Sequence, residues 1–299
     1  MSEEVTQAGL VGVVGRPNVG KSTLVNALVG HKVSIVTAKP QTTRHRIMGV
    51  LTLDACQYIF VDTPGIHSDA PRRMNQAMNR VAQTAARDAD VVVFVVQAGK
   101  WTDQDMRILD ALKQLDLPVG LVINKVDQIQ DRDSLLPFIA KLQKMADFAF
   151  IVPLSALKKD NLTPLLEELR PYLPESPAFF PHEQHSDQSE QMLAAEVIRE
   201  KLMERVHQEV PYALAVQVES LEREGGLIRL GAIIWIEREG QKGIVIGQGG
   251  KVLKDIGTAA RKELAEYFGK RVHLDLWVKV RPGWPDDPRL LGRMGISSE

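Results

Sequence analysis

The chain has 299 residues, 44% hydrophobic and 25% charged, close to the globular average, which excludes global disorder, collagen and coiled coil. Lys and Arg number 37 against 38 Asp and Glu, a net charge of −1, so any nucleic-acid surface has to be local. Cys56 is the only cysteine, which excludes a disulfide framework and a cysteine-rich zinc site and fits a reducing compartment.

The longest purely apolar stretch, Val91 to Val96, falls far short of the ~18 residues of a spanning helix. The opening Met-Ser-Glu-Glu lacks the basic-then-apolar order of a signal peptide. A soluble, cytosolic protein of two domains is expected, with boundaries at 1–175 and 191–299 and a linker at 176–190 rich in proline and polar residues.

In chain order, Leu10–Val14 reads as a buried strand and Lys21–Leu28 as a helix. Between them, Gly15-Arg16-Pro17-Asn18-Val19-Gly20-Lys21-Ser22 matches GxxxxGK[ST] in the strand-to-helix setting that this phosphate loop requires. Gly15 and Gly20 let the backbone curl so that amides from Asn18 to Ser22 converge on phosphate oxygens, aided by the positive end of the helix. Lys21 is placed to reach the β- and γ-phosphates and Ser22 to ligate Mg²⁺. Gln41-Thr42-Thr43-Arg44 follows on a stretch without strong periodicity, where a mobile loop brings a threonine back to Mg²⁺. Thr42 and Thr43 are both candidates, with Thr43 favoured.

The strand Tyr58–Val61 ends in Asp62-Thr63-Pro64-Gly65, where Asp62 is expected to hold Mg²⁺ through water and the Gly65 amide to meet the γ-phosphate. Helix Met74–Arg87, strand Val91–Val96, helix Thr102–Leu115 and strand Val119–Ile123 follow; Asp103 and Asp105 read as exposed acids at a helix start. Asn124-Lys125-Val126-Asp127 comes next. The Asp127 carboxylate can accept from guanine N1–H and the 2-amino group together, whereas adenine leaves it unpaired. Helix Asp133–Met145 and strand Phe150–Pro153 lead to Ser155-Ala156, whose Ala156 amide is available to the guanine carbonyl, and helix Leu162–Leu173 closes the region. Continuous apolar strands alternating with helices predict an α/β domain with a mostly parallel sheet covered on both faces.

The region after the linker reads α-β-β-α-β. Met192–Val210 has helical periodicity, and two alternating strands flank Gly225-Gly226. A strand–helix junction is expected at Val245-Ile246-Gly247-Gln248-Gly249-Gly250-Lys251, then helix Lys251–Phe268 and a last strand carrying Leu274, Leu276, Val278 and Val280. Between Lys242 and Arg271 seven basic residues face three acidic ones, a local excess fit for a few phosphate contacts. His182 and His185 have no third ligand in sequence reach and do not make a zinc site.

GRPNVGKS, QTTRHR, DTPG, NKVD and SAL in this order resemble the Era–EngA–MnmE type of the translation-factor class of GTPases. The GxxG at Gly247, with the α-β-β-α-β order, resembles an α+β KH domain of type II, whose GxxG loop clamps about four single-stranded nucleotides. A phosphate-loop GTPase followed by such a domain resembles the Era-type members of that class from Leu10 to about Val280. The resemblance implies GTP/GDP and Mg²⁺ bound by Gly15, Asn18, Val19, Gly20, Lys21, Ser22, Thr23, Asp62, Gly65, Asn124, Lys125, Asp127, Ser155, Ala156 and Leu157. It implies hydrolysis served by Lys21, Asn18, Thr43 and Gly65, with Asn18 holding K⁺ in place of an arginine finger. Ile66 stands where Ras-like enzymes carry a water-orienting glutamine, which leaves catalysis to backbone groups and ions.

RNA contacts are implied for Ile246, Gly247, Gln248, Gly249, Gly250, Lys251, Lys254 and Arg261. The implied partners are the 3′ end of 16S ribosomal RNA and the 30S subunit precursor, with nucleotide state controlling RNA binding. The same resemblance carries the expectation of a monomer, cytoplasmic, with peripheral association at the inner face of the cell membrane. The rival reading is a GTP-gated RNA-binding assembly scaffold with negligible intrinsic hydrolysis. An RNA-modifying enzyme driven by GTP is disfavoured, because the C-terminal cysteine of that type is absent.

Overall fold

The computed structural model describes residues 4–65, 73–206, 210 and 214–293. The chain divides into two compact units: Met1–Ser34, Thr43–Ala70 and Asn75–Asp187 form the first, and Ile35–Thr42, Pro71–Met74 and Gln188–Glu299 the second. Ile66 lies outside the described residues.

The first unit runs β1 (Gln7–Val14), α1 (Lys21–Val29), β2 (Ile47–Leu53), β3 (Cys56–Asp62), α2 (Arg73–Arg87, with this unit from Asn75), β4 (Val91–Gln97), α3 (Asp103–Leu112), β5 (Val119–Asn124), α4 (Leu135–Gln143), β6 (Ile151–Pro153) and α5 (Leu162–Leu169). Among the described residues these strands form one sheet of order β2-β3-β1-β4-β5-β6. Only the β2–β3 pair in it is antiparallel.

The apolar runs are continuous because both faces are covered. Along β4, Val91, Val93 and Val95 pack with Leu24 and Val25 of α1 and Leu165 and Leu169 of α5. Val92, Phe94 and Val96 turn the other way, onto Ile108 and Leu109 of α3 and Leu142 of α4. The parallel register brings the carboxyl ends of β1, β3, β4 and β5 to one edge, with Val13 opposite Asp62 and Gln97 opposite Asn124. That edge is where ligands collect in open α/β sheets.

The structure departs from the sequence expectation in three places here. Edge strand β2 adds a strand between the expected helix and Tyr58–Val61, pairing from Ile47–Asp62 to Leu53–Cys56. The expected linker is not a free connection. Residues up to Asp187 fasten to the first unit: Gln57 bonds the backbone of Phe179 and Phe180, and Val50 N donates to the His185 carbonyl at 2.9 Å. Asp105 is fully buried rather than exposed.

The second unit holds α6 (Glu190–Arg205), β7 (Leu214–Glu224), β8 (Leu227–Ile236), α7 (Glu239–Ile246), α8 (Lys251–Phe268), β9 (Arg271–Val280) and α9 (Pro288–Arg293). Its sheet has the order β7-β8-β9, antiparallel then parallel. Leu214, Val216, Ile228, Leu230, Ala232, Ile234 and Ile236 form the covered face, against Ala194, Ile198 and Leu202 of α6 and Ile256, Ala260 and Leu264 of α8. Where a strand–helix junction is expected at Val245-Ile246, the structure has helix α7. Gln241 folds back so that its Oε1 accepts from the amides of Glu237 and Arg238, both at 3.0 Å, and starts that helix.

Segment Ile35–Thr42 packs on α6. The Val36 amide donates to Glu200 Oε1 at 2.9 Å. Lys39 Nζ donates to the carbonyls of Met203 and Val206, and Arg199, paired with Glu196, donates to the carbonyls of Gln41 and Thr42. Among the described residues, no helix is long and apolar enough to cross a membrane.

Candidate functional site

The loop between β1 and α1 is built as its glycines require. Gly20 has φ 100°, and a Cβ there would stand 2.4 Å from Asn124 Nδ2; at Gly15 it would stand 2.4 Å from the Val95 carbonyl oxygen. The first turn of α1 has no side-chain cap, so its amide hydrogens remain directed into the loop. Lys21 is buried with Nζ inside the curl, donating to the carbonyls of Gly15 at 2.9 Å and Arg16 at 3.2 Å. Burial pushes the amine down to about 8; the charge of Asp62 opposes this and that of Arg16 adds to it.

Three oxygens meet beside α1. Ser22 Oγ donates to Asp62 Oδ2 at 2.7 Å, and Thr43 Oγ1 lies 2.9 Å from Ser22 Oγ and 3.3 Å from Asp62 Oδ2. Asp62 is fully buried and, among the described residues, its Oδ1 has no hydrogen-bond partner. Burial raises its carboxyl above the usual range, against hydrogen bonds from Ser22 and Thr43 and the charge of Lys21. Two hydroxyls and a carboxylate with an unpaired oxygen are the hard donors that a small divalent cation takes. Thr42, the other candidate, stands elsewhere: its hydroxyl bonds Thr37 Oγ1 at 2.7 Å and the Lys39 carbonyl at 2.6 Å. Gly65 comes so close to the loop that a Cβ there would stand 2.9 Å from Pro17 Cγ.

The loop after β5 ties to the same curl. Asn124 Nδ2 donates to the Val19 carbonyl at 2.8 Å, and Lys125 Nζ to the Asn18 carbonyl at 2.7 Å. Asp127 is exposed, with one carboxylate oxygen held by Ser155 Oγ at 2.5 Å. The Ala156 amide, expected to face a purine carbonyl, instead donates to Asn124 Oδ1 at 3.0 Å. That bond closes the loop on itself, so Ala156 orients Asn124 in this conformation. Leu157 is 69% exposed beside it, and Thr23 lies on α1.

In the second unit the Gly247–Gly250 loop joins α7 to α8, with φ of 73° at Gly247, 59° at Gly249 and 77° at Gly250. Gly247 is irreplaceable on space as well, since a Cβ would stand 2.4 Å from Val252 Cγ2. Beside the loop lies a groove of about 370 Å³ lined by Gly250, Lys254, Arg261, Leu274 and Leu276 among others. Lys251 is exposed at the start of α8, and Gln248 and Gly249 are exposed on the loop. Three of the eight expected RNA residues thus line the groove, and Ile246 to Gly249 and Lys251 form the adjoining loop and helix start.

A family model described as 50S ribosome-binding GTPase matches residues 10–125, and a KH domain model matches residues 209–285. Phosphate loop, oxygen cluster and glycine-loop groove define the class: a GTPase of the phosphate-loop type carrying a KH domain. GTPase Era of Coxiella burnetii (strain CbuG_Q212) is 50% identical over 291 residues, 97% of this chain and 98% of that protein. GTPase Era of Marinobacter nauticus is 48% identical over 292 residues, 98% of this chain and 96% of that protein. The chain belongs to the GTPase Era family. Among solved structures, an Aquifex aeolicus Era variant bound to GDP and AlF₄⁻ superposes with TM-score 0.94 at 39% identity, covering 98% of this chain and all of that one. Era in complex with MgGDPNP and nucleotides 1506–1542 of 16S ribosomal RNA superposes equally, at 38% identity over 98% of this chain and 100% of that chain.

Proposed function

We propose that the first unit binds and hydrolyses GTP at Gly15–Ser22 and that its nucleotide state controls single-stranded ribosomal RNA binding at Gly247–Gly250. The observation that carries the reading is the meeting of Ser22, Thr43 and Asp62 within 3.3 Å of one another beside the uncapped start of α1. Loop amides and Lys21 bind the phosphates and stabilise the charge that develops as water attacks the γ-phosphate. Ser22, Thr43 and Asp62 hold Mg²⁺, which when bound neutralises phosphate charge. Asp127 selects guanine, Lys125 packs its stem over the base, and Gly65 lets its own backbone approach the γ-phosphate beside Pro17. Asn18 holds K⁺ near the phosphates; equal turnover in matched K⁺ and Na⁺ buffers would remove that assignment.

The RNA is the 3′ end of the small-subunit ribosomal RNA, and the setting is maturation of the 30S subunit. Support comes from the solved Era complex with 16S ribosomal RNA nucleotides and from the groove beside Gly250. Control of RNA binding by the nucleotide draws support from the chain itself. Thr43 stands with Ser22 and Asp62, while the residues just before it, Ile35–Thr42, belong with the unit that carries the groove. A segment whose end would hold Mg²⁺ through Thr43 changes state with hydrolysis. The test is RNA affinity at fixed salt with GDP and with a non-hydrolysable GTP analogue. Tighter binding with the analogue is expected; equal affinities overturn the coupling.

A further inference from the structure

Arg16 is second in the Gly15–Ser22 loop, a place where the motif asks for no particular side chain. Its guanidinium is buried and reaches away along the sheet edge. Nε donates to Asp105 Oδ2 at 3.1 Å, and Nη2 to Gln97 Oε1 at 3.4 Å at the end of β4. Asp105 is itself pinned. The same Oδ2 accepts from the Thr102 amide at 2.9 Å and the Thr102 hydroxyl at 2.7 Å, completing a capping box at the start of α3. On the main-chain side, the Arg16 carbonyl accepts from Lys21 Nζ. Arg16 thus joins two things: a fixed carboxylate on a helix 89 residues away and the curl around Lys21.

A loop of this kind works against its own folding. Its amide hydrogens converge on one point, Lys21 sits at its centre, and glycines leave it free to relax. Buried ion pairs as a class add little net stability over apolar residues of equal volume, so fold stability alone does not account for this one. We propose that Asp105 is a positioning residue for the phosphates: through Arg16 it holds the loop in its binding curl before nucleotide arrives. The proposal rests on the reading of Gly15–Ser22 as the phosphate cradle. A preformed cradle lowers the cost of binding GDP and GTP alike, so the tie acts on affinity rather than on the chemical step.

The test uses the full chain and four variants: Arg16→Met, Asp105→Asn, their double, and Lys21→Ala. Asn at 105 keeps an oxygen for Thr102, and the double leaves no buried charge unpaired, so it remains folded if Asp105→Asn alone does not. GDP and a non-hydrolysable GTP analogue are titrated by calorimetry, turnover is measured at saturation, and melting reports folding. Arg16→Met and Asp105→Asn are each expected to raise Kd for both nucleotides and KM by about tenfold, with kcat within about twofold. The double should be no weaker than the weaker single, because both changes cut one tie. Folded variants with wild-type affinity, losses that add in the double, or a fall in kcat at constant KM would overturn the proposal. Lys21→Ala separates the two readings: if it binds GDP normally, the cradle assignment itself fails. If it loses GDP while the other variants keep it, only the role of Asp105 fails.

Discussion

Ser22 Oγ donates to Asp62 Oδ2 at 2.7 Å across 40 residues of sequence, although among the described residues the second oxygen of that buried carboxylate has no partner. The arrangement favours a bound cation over an empty fold. Burial raises the folded-state pKa of Asp62 above its unfolded value, so the charged form destabilises the metal-free protein, and stability is lost as pH rises through the folded value. Asp62→Asn is therefore expected to raise the melting temperature of the nucleotide-free protein, by about 2–4 °C for a gain of about 1 kcal/mol. The same change should abolish the Mg²⁺ dependence of GTP-analogue binding. Scanning calorimetry and titration with and without Mg²⁺ check both; a lowered melting point with the Mg²⁺ effect intact contradicts the assignment.

Lys21 gives a pH signature of the opposite kind. Its amine is held down to about 8 in the fold, and it must be charged to bind phosphate. GDP affinity is expected to be level below pH 8 and to fall above it, approaching tenfold per pH unit. Stability without nucleotide moves the other way. A depressed lysine binds fewer protons folded than unfolded, so stability rises between about pH 8 and 10.5. Lys21→Met should accordingly bind no GDP and melt higher, by up to about 3 kcal/mol of stability. A variant that loses both binding and stability would show that Lys21 supports the fold.

Gly120 on β5 makes a prediction of pure packing. A Cβ there would stand 2.0 Å from the Phe150 ring, which is itself only 6% exposed. Gly120→Ala is expected to cost about 1–3 kcal/mol by overpacking, with GDP affinity of the folded fraction unchanged. Phe150→Leu in the same chain should restore part of the loss, because the two changes share one contact. Urea titration of the three variants reads the effect; strict additivity would place the strain elsewhere.

What the sequence made legible was local. The loop Gly15–Ser22 declares itself because its glycines, lysine and serine lie within eight consecutive positions, and β4 because six apolar residues in a row need two covered faces. The misses turn on which partner each group takes in the fold. β2 lies at the sheet edge and takes its hydrogen bonds from β3. Asp105 sits at the third position of a helix, where acids are ordinarily solvated, and it is buried because Arg16 and the Thr102 amide and hydroxyl all donate to it. The Ala156 amide goes to Asn124 Oδ1, and the Thr42 hydroxyl goes to Thr37 and Lys39 rather than to the cluster that Thr43 joins. Such choices among nearby acceptors follow from the final packing.

Lys254 and Arg261 lie on the same face of α8, seven residues apart, and line the groove beside Gly250 with Leu274 and Leu276 as its apolar floor. If they meet phosphates of a single strand while the floor takes bases, each contributes a charge and no sequence preference. Lys254→Ala and Arg261→Ala should each weaken binding of a short single-stranded RNA uniformly across sequences. Each should also make the slope of log affinity against log salt shallower by about 0.7 between about 50 and 200 mM salt. Fluorescence anisotropy at fixed nucleotide state measures both. An unchanged slope with weaker binding would mean that these cations shape the groove rather than contact phosphate, and a change confined to one RNA sequence would mean that they read bases.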